Sequence, residues 1–331
     1  MKFEELQTIE KGINMKKRIF SLLLAITVCS MMGATPAVAY GLEETAERSV
    51  SQTIESKSEY EMAIEETQRM EACAKANTQS GNDGSVQAKT PLEEYKEAFD
   101  VRAEVDTETL SGMGYSSAEI DILQKYKNGE CTFEEAATRA AAVLTPKLEC
   151  TTHTKERYVV KYSWEWDKTP VGLGEDGFAM GLYGIDDQSD GFVTKLNSSA
   201  ATVTYYYTDN TAYKTEHPDK DVSTNTVSTK FASYKLSDLG DRWVWAKEGN
   251  ITMIVTPAVS GGKTFEAVRA AGEYGHSSKR SAQIDISVSV NAFTGDITAT
   301  FSIAQSSSGT VTPCGKKQII FYNDGTKFVE A

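Results

Sequence analysis

The chain has 331 residues, 24% of them charged, with 47 acidic against 34 basic side chains and a formal net charge of −13. Such a surface repels phosphate backbones and anionic headgroups, which excludes nucleic acid as a natural partner and disfavours simple adsorption to a membrane. The length allows one or two packed domains behind a targeting segment.

The first element is an address. Lys16, Lys17 and Arg18 form a basic cluster directly after Met15. Ile19 to Met32 is apolar or small almost throughout, about 14 residues where a membrane span needs roughly 20. Pro36 breaks the run, and Ala37-Val38-Ala39 supplies the small side chains that a signal peptidase accepts. Residues 1–39 therefore read as a secretory signal peptide cut after Ala39, the first fourteen residues being either a misplaced start or an unusual extension. Cleavage there leaves 29 basic and 44 acidic side chains, a net charge of −15, on a secreted chain. Val28 stands before Cys29 where lipidation needs a small residue, and no second apolar run follows residue 40, so no stable membrane anchor is expected.

Residues 40–90 read as a helical pro-segment or stalk plus a linker. Glu43 to Asn77 is rich in Glu, Ser, Ala and Gln, and Val50, Ile54, Met62, Ile64 and Met70 give it a weak apolar face. Asn77 to Thr90 has turn formers and no periodicity. Residues 91–150 read as a small helical unit. Pro91 opens a helix carrying Leu92, Tyr95 and Phe99 on one face. Ser116 with Glu119, and Thr132 with Glu135, have capping-box spacing ahead of two further apolar faces.

From Glu156 the period changes to two, and residues 151–331 read as an antiparallel β-sandwich. Tyr158, Val160, Tyr162, Trp164 and Trp166 alternate with more polar residues; so do Ile284 to Val290 and Ile297 to Ile303, with Gly295-Asp296 between them. Shorter runs occur at 178–182, 203–207, 243–245 and 251–255, and Asn323-Asp324-Gly325 marks a last hairpin. One apolar and one polar face per strand means sheets covered on one side, and two such sheets stack. About eight to ten strands are expected. Of the cysteines beyond the signal, Cys73, Cys131, Cys150 and Cys314, an even number outside the cell suggests disulfides in one of three pairings. Cys314 would meet Cys150 if the first and last strands were neighbours, whereas an anaerobic source would leave all four reduced.

Chemistry-bearing patterns are sparse. Ser260-Gly261-Gly262-Lys263-Thr264 resembles the end of a phosphate loop, but Pro257 stands where the pattern needs glycine. A sulfur nucleophile needs a histidine base, and none of His153, His217 and His276 adjoins a cysteine. Asp176, Asp186, Asp187 and Asp190 lie in one glycine-containing acidic stretch and are the candidate calcium ligands, since that ion takes six to eight oxygens on a flexible loop. Asp and Gly are equally the residues of solvated turns. Tyr206 and Tyr213 are candidate surface aromatics; Trp164 and Trp243 each belong to a tryptophan pair two residues apart, which suits either a core or a binding face. No residue is expected to be catalytic, and no cofactor is required beyond that calcium.

Tyr162-Ser163-Trp164-Glu165-Trp166, Pro170, Asp176 and Tyr274-Gly275-His276-Ser277 together resemble a family of proteins secreted by Gram-positive bacteria. In that family a short helical unit precedes a Y-x-W-x-W strand and an all-β domain, an overlap running from about Pro91 to the end. The resemblance implies immunoglobulin-binding superantigens of gut commensals, or large unmodified bacteriocins, and it carries over no site residue. The expectation is a secreted, non-enzymatic protein that binds an extracellular protein, most specifically a host immunoglobulin. The alternatives are an antibacterial, bacteriocin-like protein whose amphipathic strands Val203–Tyr207 or Ile284–Val290 enter membranes, and a calcium-dependent carbohydrate-binding or hydrolytic domain.

Overall fold

A computed structural model describes residues 49–78 and 89–331, apart from 173, 187–190, 193, 237–241, 259–263, 278, 280–281, 306 and 331. The expected signal segment and most of the expected linker lie outside the described residues. The protein is mainly β: a helical unit precedes two antiparallel sheets packed face to face. No described helix is long and apolar enough to cross a membrane.

The segment read as a pro-segment or stalk is built into the body. Instead of one helix it forms β1 (Val50–Thr53), β2 (Lys57–Ser58) and α1 (Glu59–Thr78). Ser58 and Glu61 bond reciprocally at the start of α1, a capping box that fixes where the chain turns helical. Four more helices follow: α2 (Pro91–Ala103), α3 (Thr107–Gly112), α4 (Ser117–Lys127) and α5 (Phe133–Ala140). Ser116 and Glu119 complete the expected capping box. Thr132 provides the forward half of the other, and Thr90 with Glu93 forms a box ahead of α2. Tyr95, Phe99, Tyr126 and Phe133 pack ring against ring between these helices, with Tyr60 of α1 joining them.

The helical unit ends earlier than residue 150, because Val143 already begins β3 (Val143–His153). The first sheet runs β1-β3-β4-β12-β7-β8, where β4 is Tyr158–Trp166, β7 Thr194–Tyr207, β8 Ala212–Glu216 and β12 Arg242–Pro257. Here β2 pairs with β3, and β11 (Tyr234–Leu236) pairs with β12. The second sheet runs β17-β16-β13-β5-β10-β9: β17 is Lys327–Val329, β16 Val311–Tyr322, β13 Ala267–Ser277, β5 Glu175–Ile185, β10 Thr226–Ala232 and β9 Lys220–Val222. A short β6 (Gly191–Phe192) pairs with β5. The runs 243–245 and 251–255 are one strand, β12, interrupted by a bulge between Ala246 and Glu248. Seventeen strands among the described residues exceed the expected count, since short edge strands are recruited by backbone pairing and need no alternation of their own.

Alternation on β4 sends Tyr158, Val160, Tyr162, Trp164 and Trp166 inward, where they meet Phe178, Met180 and Leu182 of β5 and Tyr274 of β13. All four thiols are free: Cys150 and Cys314 are buried, Cys131 is half-buried and Cys73 exposed. The disulfide expectation is thereby corrected in favour of four reduced thiols, and the Cys150 thiol donates instead to the Thr152 carbonyl.

β14 (Ile284–Val290) and β15 (Ile297–Ile303) form a third, two-stranded sheet lying on the outer face of the second. Gly177, Ala179 and Gly181 of β5, with Ala271 and Gly275 of β13, make the ground beneath it. A Cβ added at Gly177 would sit 2.4 Å from Ile286, at Gly181 2.6 Å from Ile297, and at Gly275 2.4 Å from Phe301. These positions are small because the hairpin occupies the space a side chain would fill.

Candidate functional site

The residues that carried the family resemblance converge where the helical unit meets the second sheet. The Trp166 indole donates to the Tyr274 hydroxyl (3.2 Å), and that hydroxyl donates to Asp176 Oδ2 (2.6 Å). Asp176 also accepts from the Ser277 backbone N–H at 2.9 Å and faces His276 Nδ1 at 3.1 Å. The other ring nitrogen, Nε2, faces Glu59 Oε1 at 3.2 Å. Glu59 is the first residue of α1, and its carboxylate also takes the Val171 N–H at 2.8 Å. Burial alone would push the His276 pKa down; Asp176 and Glu59 outweigh it and raise the pKa to about 10. The ring is therefore an imidazolium at neutral pH, 4% exposed, with both nitrogens committed to acids. It has no lone pair to offer as a base. The adjoining cavity, bounded by Glu59, Tyr95, Val171 and Thr312, measures about 20 Å³, room for one water.

Neighbouring contacts fasten the same junction. Arg102 of α2 donates to the carbonyls of Thr169 (3.0 Å) and Pro170 (2.8 Å). Lys168 pairs with Glu119, and Glu94 with Lys279 at 2.9 Å. The node is thus a strap holding helices to sheets. Six of its members, Trp166, Pro170, Asp176, Tyr274, His276 and Ser277, stood in the sequence motif. Glu59 did not, since it lies 217 positions from His276 and only the tertiary fold joins them.

Of the candidate calcium ligands, the two that are described, Asp176 and Asp186, do not come together. Asp176 and Asp186 lie at opposite ends of β5, ten residues and about 33 Å apart at strand rise. Asp187 and Asp190 lie outside the described residues. No group of three or more possible metal ligands occurs among the described residues.

The candidate binding aromatics divide. Trp164 is in the core, 1% exposed and stacked on Phe231 at 5.1 Å, so it is corrected to a packing residue. The inward phase of β4 decides its place. Tyr206, Tyr213 and Trp243 are half-buried and lie at one end of the first sheet, on β7, β8 and β12; Tyr206 and Trp243 share the face of Trp245, whereas Tyr213 packs on Tyr207, whose β12 partner is the core residue Val244. Each has an ammonium over its ring: Lys247 over Tyr206 at 5.0 Å, Lys214 over Tyr213 at 5.3 Å and Lys235 over Trp243 at 5.3 Å. Tyr207 lies 5.0 Å from Tyr213, and Lys214 also reaches over Tyr234 at 5.4 Å. The lysine stems cover aromatic faces, while the Lys214 ammonium pairs with Glu216 at 2.6 Å and that of Lys247 donates to Asn210 at 3.1 Å. Next to this corner the outer face of the first sheet holds a polar groove of about 360 Å³, lined by Lys147, Lys161, Ser163, Glu165, Glu248 and Asn250 among others. Glu248 joins the two, since the Tyr206 hydroxyl donates to it at 3.4 Å.

No family model and no curated protein matches the chain. Among solved structures, the Clostridium perfringens NetB toxin in its membrane-inserted form aligns with TM-score 0.21 and 9% identity, over 57% of this chain and 88% of that one. AvmM, which catalyses macrocyclization in alchivemycin A biosynthesis, aligns with TM-score 0.17 and 9% identity, over 48% and 80%. Superpositions this loose carry neither fold nor function across.

Proposed function

We propose that the protein is secreted and acts by recognising an extracellular protein, with host immunoglobulin the first partner to test. The observation that supports this is a set of half-buried tyrosines and a tryptophan at one end of the first sheet, each with a lysine, Lys214, Lys235 or Lys247, over its ring. Aromatic rings already ordered by packing lose little entropy on binding, and such rings with cations dominate the energetics of protein interfaces. Recognition also suits a histidine whose two nitrogens are both committed to acids. The immunoglobulin assignment itself rests on the sequence resemblance.

The test is capture from serum by the immobilised protein, with antibody chains expected in the eluate. Trp243→Ala and Tyr213→Ala should each lower the affinity at least tenfold, about 1.4 kcal/mol or more. An eluate without antibody removes immunoglobulin as the partner. Unchanged affinity in both variants moves the contact away from this corner.

A further inference from the structure

The β14–β15 hairpin is bound to the molecule differently from every other described strand pair. Its backbone ladder is closed on itself, from Ile284↔Ile303 to Val290↔Ile297. Among the described residues its polar links to the body are mostly side chains reaching across. Lys230 donates to the Ile284 carbonyl (2.8 Å), Glu175 accepts the Ile284 N–H (2.7 Å), and Tyr183 donates to the Ala292 carbonyl (2.7 Å). Arg269 holds the tip, donating to the Thr294 carbonyl at 2.5 Å and pairing with Asp296 at 3.8 Å. At the base, one backbone bond joins Glu175 N–H to the Ala282 carbonyl at 3.3 Å. Lifting the hairpin would break these contacts, the bond from the Ile297 N–H to Gln318 Oε1 (3.2 Å) and the packing of Ile284, Ile286, Ile297 and Phe301 on the glycine seat, and would leave both the hairpin ladder and the sheet ladders whole.

Its composition fits a second environment. Between Ala282 and Gly315 only Asp285 and Asp296 carry charge, against 24% over the chain. The apolar face is half covered: Ile284 and Ile297 are buried, while Ile286, Val288, Val290 and Phe301 keep part of their surface in water. The opposite face is built from Asp285, Ser287, Ser289, Thr298, Thr300 and Ser302. Phe293 at the tip is 97% exposed. β14 and β15 span seven residues each; Ala282 and Gln283 extend the alternation of the first to nine, the lower end of the about 9–11 residues with one apolar and one polar face that a strand crossing a bilayer needs.

From this geometry we infer that the hairpin is a detachable element that leaves the second sheet and inserts into a lipid bilayer, its apolar face to the lipid and its hydroxyl face inward. A lone hairpin in hydrocarbon leaves two unpaired edges, so copies from several chains must close a barrel. Phe293 leads the tip into the bilayer. The acidic body favours zwitterionic over anionic lipid.

The test uses the purified protein and dye-loaded vesicles of phosphatidylcholine, alone or mixed with phosphatidylglycerol. Release at least tenfold above background is expected from the first, and slower release from the second. Gly181→Cys with Ile297→Cys, in a background carrying Cys73→Ser and Cys131→Ser, tethers the hairpin to β5. The oxidised form should lose release at least tenfold and regain it on reduction. A polarity-sensitive dye on Phe293→Cys, an exposed site that leaves the fold alone, should shift to the blue with vesicles. The inference is overturned by no release from either vesicle, by full release from the oxidised tether, or by a dye at position 293 that stays in water while release proceeds.

Discussion

His276 sits between Asp176 and Glu59, and the direction of its shift fixes a test. Its pKa rises from 6.5 to about 10 on folding, so the folded chain holds that proton more tightly than the unfolded one. The stabilisation is complete below pH 6.5 and is lost as the pH climbs through about 10. Melting temperature should therefore fall between pH 7 and pH 10, read by calorimetry. Asp176→Asn removes the acid that does most to raise the pKa. That variant should flatten this slope and cost about 3–5 kcal/mol at neutral pH, read by urea titration, because it leaves a buried imidazolium with one acid instead of two. A wild-type curve flat across this range would contradict the charge arrangement. The sequence exposed part of this node: Tyr274, His276 and Asp176 drew notice as a motif, yet a motif does not say that residues touch.

At the scale of elements, legibility followed coverage. β4, β14 and β15 alternate cleanly because one face of each meets a core and the other meets water, and their bounds in the structure match the alternation. β5 and β13 are buried on both faces, the second under the hairpin, so alternation there is between large and small side chains, not between apolar and polar. Phe178, Met180 and Leu182 against Gly177, Ala179 and Gly181 is that pattern, and a polarity scan sees only the first set. Pro146 inside β3 hid another strand. The hairpin's seat gives a direct test. Gly275→Val places methyl groups where the Phe301 ring now lies, 2.4 Å from the added Cβ. The hairpin should lift, and limited proteolysis should cut between Ile284 and Ile303 at least tenfold faster, while far-ultraviolet circular dichroism keeps its β signal. A cleavage rate equal to wild type would mean that the hairpin's hold does not depend on that glycine.

For the molecule as a whole, α1 is the piece the sequence misplaced. Its weak apolar face reads as a stalk, but Met62 and Ala63 are buried and Glu59 completes the His276 strap. An engineered protease site between Thr78 and Lys89 should yield two fragments that stay together on size exclusion at neutral pH and separate only in denaturant. Early release of the N-terminal fragment would restore the pro-segment reading.

The two outward-facing features stand at opposite ends. Tyr183 and Arg269 hold the hairpin tip beside the Ile185 end of β5, whereas Tyr206 and Tyr207 finish β7 where Gly112 of α3 approaches Thr208. Fourteen residues of β7 span about 45 Å between those ends. A chain standing upright on a cell with Phe293 downward would hold its tyrosine corner aloft, clear of the headgroups. Attachment below and capture above would then proceed without competing for space.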